Sequence, residues 1–170
     1  AFGPWPFPFV EAALYLLAGL LGLVAILVQL GAVRGSRPAD LGVINGRLKP
    51  PSSTPNSVSS RAALYPDHPQ RAYADIAPLT LKNASGPASI QALAALLGTM
   101  PGTTVVEQRS DYLHAEAETR WLKFTDDVEF WFNPVRGVVE LRGASRLGRR
   151  DFGVNRQRIE AIRSAYLARG

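Results

Sequence analysis

The sequence predicts an α+β protein: one long apolar helix near the N-terminus, then a small domain of about two helices packed on a four-stranded antiparallel sheet. Three observations predict it. Residues 10–33 form an apolar run without a single cation. Four short stretches between residues 103 and 143 alternate apolar and polar side chains. Two segments with helical periodicity flank those stretches, an order that places both helices on one face of the sheet.

The first element, "VEAALYLLAGLLGLVAILVQLGAV" from Val10 to Val33, is apolar apart from Glu11 and Gln29. As a helix it rises about 1.5 Å per residue, roughly 36 Å in all, against a hydrocarbon core of about 30 Å. A secretory signal needs a basic n-region and a shorter apolar run. A lipoprotein signal needs a cysteine, and the chain has none. The expectation is therefore a retained single-span anchor over 10–33. Residues 1–9, "AFGPWPFPF", interleave Pro4, Pro6 and Pro8 with Phe2, Trp5, Phe7 and Phe9, which fits a non-helical segment at the headgroup boundary.

All 19 Lys and Arg residues follow position 33. The positive-inside bias then puts the N-terminus outside and the C-terminal domain in the cytoplasm, on the cell inner membrane or a photosynthetic membrane; the alternative is a periplasmic domain. Along the span, Glu11, Tyr15, Ala18, Gly22, Ala25, Gln29 and Ala32 share one helix face, and small residues there allow another helix to approach. Tyr15, Ala18, Gly22, Ala25 and Gln29 are the expected partner-helix interface, with the opposite, Leu-rich face left to lipid.

Residues 34–60 are rich in Pro, Gly and Ser and predict an extended tether; the domain proper then covers 61–170. Ser85 can cap a helix with Pro87 in its first turn, and Ile90, Leu93, Ala94 and Leu97 form its apolar stripe. The strands are "TTVVEQR", "YLHAEAETRWLKF", "DVEFWFN" and "GVVELRG", joined at Ser110–Asp111, Thr125–Asp126 and Asn133–Gly137. Val128, Phe130 and Phe132 alternate with Glu129 and Trp131, predicting one buried face and one more exposed. The closing helix, Asn155 to Ala168, carries Ile159, Ile162 and Tyr166 on one side.

A net charge of +5 invites a nucleic-acid reading. No recognition motif supports it, and cations beside a span serve topology and attraction to anionic lipid. Absent cysteine excludes disulfides, thiolate metal sites and a Cys nucleophile. "DFG" at 151–153 lacks every other kinase element, so Asp151 is expected as a turn acid before the last helix and Gly153 as a permissive turn position. His114 shares a strand face with Tyr112, Glu116 and Glu118, too few ligands at suitable spacing for zinc. Asp126, Asp127 and Glu129 could do acid–base work, but a solvated hairpin turn facing arginines is the favoured reading. The strongest polar constellation is Arg142, Ser145, Arg146, Arg149, Arg150, Asn155, Arg156 and Arg158. Salt bridges between helix and sheet are its favoured use, and Arg142, Arg146, Arg149, Asn155 and Arg156 are its candidate anion-binding set.

"RPADLGVINGRL", "PPSSTPNSVSS", "YLHAEAETRWLKFTDDVEFWF" and "VVELRGASRLGRRDFGVNRQRIEAIR" together resemble the DUF1499 family, a domain of unknown function found in bacteria and in plant and algal plastids. The resemblance covers about residues 37–165. Many relatives carry "CPSSPNCVSS", whereas Pro51 and Ser57 stand at the two cysteine positions here. Relatives are often lipoproteins or exported, which would place the domain outside; the missing cysteines and basic flank favour the cytoplasmic side. The resemblance carries over no catalytic residues. The expected function is a non-catalytic accessory subunit of a larger membrane complex, photosynthetic or respiratory, with other membrane subunits and lipids as partners and no cofactor or metal. The alternative is a membrane-tethered domain binding an anionic ligand or lipid headgroup at the arginine cluster. A hydrolase using Asp126, Asp127 and Glu129 ranks last.

Overall fold

The computed structural model describes residues 8–169. The expected interfacial segment 1–9 therefore lies outside the described residues up to position 7. Helix α1 runs Pro8–Gln29, two residues earlier than expected. Proline suits this first turn, where its missing N–H has no helical partner. At the other end Ala32 N donates to Leu27 O and Gly31 N to Val28 O, with Gly31 at φ +95°, the Schellman stop that a glycine favours. The helix thus ends short of Val33. It is long and apolar enough to cross a membrane by length and composition, and it is exposed almost throughout.

The domain is α+β with an antiparallel sheet of five strands, one more than the alternating stretches predicted. Strand β1 is Ser57–Ser59, followed by a 3-10 turn at Ala62–Leu64, the short helix α2 at Arg71–Ala74, and α3 at Gly86–Leu97. Strands β2 (Thr103–Gln108), β3 (Tyr112–Glu118), β4 (Thr125–Asn133) and β5 (Val138–Ser145) follow, and α4 at Val154–Ala168 closes the chain. The sheet order is β1-β5-β4-β3-β2. The meander was legible; β1 pairs with β5 across some 85 residues of chain, so no local alternation announces it.

Helices α3 and α4 pack on one face. Ile90, Leu93, Leu97, Ile159, Ile162 and Tyr166 meet Leu113, Val128, Phe130, Val139 and Leu141 in one core. Ser85 caps α3 by accepting from Ala88 N at 3.2 Å. Gly86 is required by packing, since a Cβ there would collide with the Phe132 ring.

Two further expectations are corrected. The turn between β3 and β4 is Thr119–Phe124, not Thr125–Asp126, because Asp126 and Asp127 are drawn into the sheet by arginines. And residues 34–60 are not a free tether. They fold back over the second face of the sheet, where Leu48 packs with Tyr112 and Trp131 and is 1% exposed. Both faces of β4 are consequently buried, not one.

Candidate functional site

The second face of the sheet collects polar side chains and then covers them. Alternation in β3 places Tyr112, His114 and Glu116 on this face; in β4 it places Asp127, Glu129 and Trp131, and in β5 Glu140 and Arg142. Glu129 lies opposite His114 on one side and Arg142 on the other, so polar side chains meet across strands. The covering segment supplies Arg37, Gly42 and Pro50.

Arg146, just past β5, is the hub. Its Nε donates to Asp127 Oδ2 at 2.8 Å and its Nη2 to Asp127 Oδ1 at 2.7 Å, a bidentate pair, while Nη2 also reaches Glu116 Oε1 at 2.5 Å. Arg37 grips the same Glu116 oxygen from the cover, at 2.6 and 2.9 Å. His114 Nε2 lies 2.8 Å from Asp127 Oδ1. Burial alone would raise the Asp127 carboxyl, but hydrogen bonds from Arg146 and His114 outweigh it and hold it at about 2. Burial opposes the same outcome at Glu116, where the two arginines still bring the carboxyl below its ordinary value.

Two neighbouring centres repeat the pattern. Glu129 Oε1 accepts from Gly42 N at 2.7 Å and Tyr112 Oη at 2.8 Å. Its other oxygen has only Arg142 Nη1, at 3.6 Å. Burial pushes the Tyr112 hydroxyl up, aided by the Glu129 charge, and burial pushes Arg142 down. Glu140 accepts from Ser60 Oγ at 2.6 Å, Arg136 Nη1 at 2.7 Å and Asn133 Nδ2 at 3.1 Å. Asp127, Glu129 and Glu140 are each at most 1% exposed. An arrangement in which every acid is already held by a cation or a hydroxyl braces the cover against the sheet. Among the described residues no three of His, Asp and Glu converge as a metal site.

The structure disperses the expected anion-binding set. Arg142 and Arg146 lie under the cover, whereas Arg149 sits exposed in the loop after β5. Asn155 is buried on the opposite, helical side, donating to Asn56 O and Asp151 Oδ2. Arg156 donates to Tyr73 O and Asp75 O at 2.6 and 2.7 Å, fastening α4 to the α2 region. Arg158 meets Asp126 at 2.7 Å and Arg163 holds the carbonyls of Ala77 and Pro78. The "DFG" acid is structural. Asp151 accepts from Gly153 N, Asn155 N and the Tyr73 hydroxyl, capping α4, with Gly153 at φ +83°. His68 accepts from Gln70 N within its turn.

On α1, Tyr15, Ala18, Gly22 and Ala25 are exposed along one face. Gln29 is not left for another helix: its Nε2 donates to Trp121 O at 2.9 Å, tying the helix end to the β3–β4 turn. Residues that the sequence left unassigned, Arg37, Arg61, Tyr73 and Glu140, carry much of the network. Period-two phase identifies Glu140 as a neighbour of Arg142 on one face, but nothing local marks Arg37 or Arg61, whose partners are 79 residues away.

No curated protein and no solved structure matches the chain. A family model described as "Protein of unknown function (DUF1499)" matches residues 47–166, from the second half of the cover through α4. Since that match takes in the whole sheet and both packing helices, the chain belongs to the DUF1499 family.

Proposed function

We propose that the protein is a non-catalytic accessory subunit of a larger membrane complex, anchored by α1 and presenting its DUF1499 domain at the membrane surface. The observation that carries this reading is α1 itself: an apolar helix of 22 residues that the domain does not cover. Fully burying one Leu or Ile side chain is worth about 1.5–3 kcal/mol, so such a helix requires lipid or another helix around it. The Tyr15–Ala25 face offers small residues for close helix contact. The charged side chains that could do chemistry, Asp126, Asp127, Glu129 and His114, are each committed to an internal partner, which supports a scaffolding role. The basic residues that follow α1 support an outside N-terminus and a cytoplasmic domain on the inner or a photosynthetic membrane.

The competing reading, an anionic-ligand domain built on Arg142–Arg158, requires those residues to converge. The separation of Arg142 and Arg146 from Asn155 and Arg156 weighs against it. The test is gentle solubilisation of native membranes followed by native electrophoresis. The protein co-migrates with other membrane subunits, and Gly22→Leu releases it while leaving it inserted. Recovery of the wild-type chain solely as a free monomer contradicts the proposal.

A further inference from the structure

We propose that the end of the domain nearest α1 is itself a membrane-binding surface, in which the β3–β4 turn and the β5–α4 loop insert apolar side chains among anionic lipid headgroups. This rests on the reading that α1 spans the bilayer.

Geometry places these loops beside the helix end. Gln29 donates to Trp121 O, and Arg34 bridges to Glu118 at 2.9 Å. A Cβ on Gly35 would touch Arg146 and Leu147, so the chain leaving α1 runs directly against the second loop. A spanning α1 therefore holds both loops at the interface without any further movement.

The surface they present is unusual for solvent. Trp121 is 71% exposed and Phe152 85%, with Leu122, Phe124 and Leu147 exposed beside them. Phe124, Leu147 and Phe152 rim an open cleft of about 320 Å³. Clustered exposed apolar groups mark a contact surface, unlike single scattered ones. Phe152 also holds φ +52°, a strained conformation for a bulky residue, and the Asp151 turn that enforces it keeps the ring outward.

Charge selects the occupant. Arg120 lies over the Trp121 ring at 5.0 Å, and Arg149 and Arg150 are exposed in the second loop. None of these three arginines forms an ion pair among the described residues. The acids of this end are turned inward: Glu118 to Arg34 and Lys123, Asp126 to Arg158, and Asp151 to Tyr73 and Asn155. Aromatic rings interleaved with free arginines match an anionic bilayer interface, where rings settle at the headgroup level and cations are drawn to anionic lipid.

The absence of cysteine makes the test direct. Full chain carrying Leu20→Cys, Leu122→Cys or Val135→Cys is labelled with an environment-sensitive dye. It is then reconstituted in nanodiscs containing lipids spin-labelled both at the headgroup and along the acyl chain, with or without phosphatidylglycerol. Val135 lies in the β4–β5 turn at the other end of β4 and is 93% exposed. The expected result is quenching at residues 20 and 122 but not 135, with the signal at 122 several-fold stronger in anionic discs. Quenching at 20 with none at 122 overturns the insertion alone. No quenching at 20 overturns the spanning reading and this inference with it. A response at 122 indifferent to phosphatidylglycerol overturns the anionic selectivity. Shielding of 122 from water without lipid quenching marks a second copy of the chain on the patch and overturns the lipid assignment.

Discussion

Helix α1 leaves apolar side chains without a protein neighbour along nearly its whole described length, whereas the second face of the sheet withdraws Asp127, Glu129, Glu140 and Arg142 from water. Each inverts the usual distribution, and each inversion has a different remedy. The charges carry their remedy within the chain, as partners from the sheet strands, the turns flanking β5 and the 34–60 cover. The helix carries none, so its remedy lies outside. Surroundings rather than composition therefore divide the molecule into a self-sufficient part and a part that needs company.

The polar face is most vulnerable at Arg146. Removing one member of a buried ion pair typically costs about 3–5 kcal/mol, because the partner is left buried and unpaired. Arg146→Ala leaves Asp127 with His114 alone and Glu116 with Arg37 alone, so the unfolding free energy of the micelle-bound chain, read by urea titration, should fall by an amount in that range. A loss near zero would mean that the network contributes nothing. The matched control is Arg109→Ala, whose partner Glu107 is half exposed; it should cost no more than about 1 kcal/mol.

Acid probes the same network more gently. The Asp127 carboxyl is lowered from 3.8 to about 2 in the folded protein, so its stabilisation is present above the unfolded value and lost as pH falls through the folded one. One such group contributes about 2 kcal/mol at neutral pH. Unfolding free energy should therefore decline as pH falls from about 5 towards 2. Asp127→Asn should flatten part of that decline; an unchanged pH profile in the variant would remove Asp127 from its cause.

The long apolar helix, the four-strand meander, the α3 cap and the phase of β4 were legible because each follows from side chains close in sequence. Ser85, Pro87 and the Ile90–Leu97 stripe specify α3 locally, and Val128, Phe130 and Phe132 mark the core face. What was not legible depends on distant pairing. Ser57–Ser59 is a strand because β5 offers it hydrogen bonds. The 34–60 stretch has the composition of a loose linker, yet Leu48 and the Gly42 amide find partners on the sheet. Asp126 and Asp127 look like solvated turn acids until Arg158, from α4, and Arg146, 19 residues on from Asp127, close on them. The arginine cluster is dispersed for the same reason: strand phase and helix packing send residues adjacent in sequence to opposite faces of the sheet.

A sealed polar face leaves α1 and its adjoining loops to make outside contacts. Amide hydrogen exchange of the full chain at Gly42 tests this most directly, since its N–H donates to buried Glu129 at 2.7 Å. A sealed face predicts exchange at Gly42 as slow as in the β4 core. Exchange as fast as at the exposed Asn45–Gly46 turn would show that the cover opens freely, and would contradict the claim.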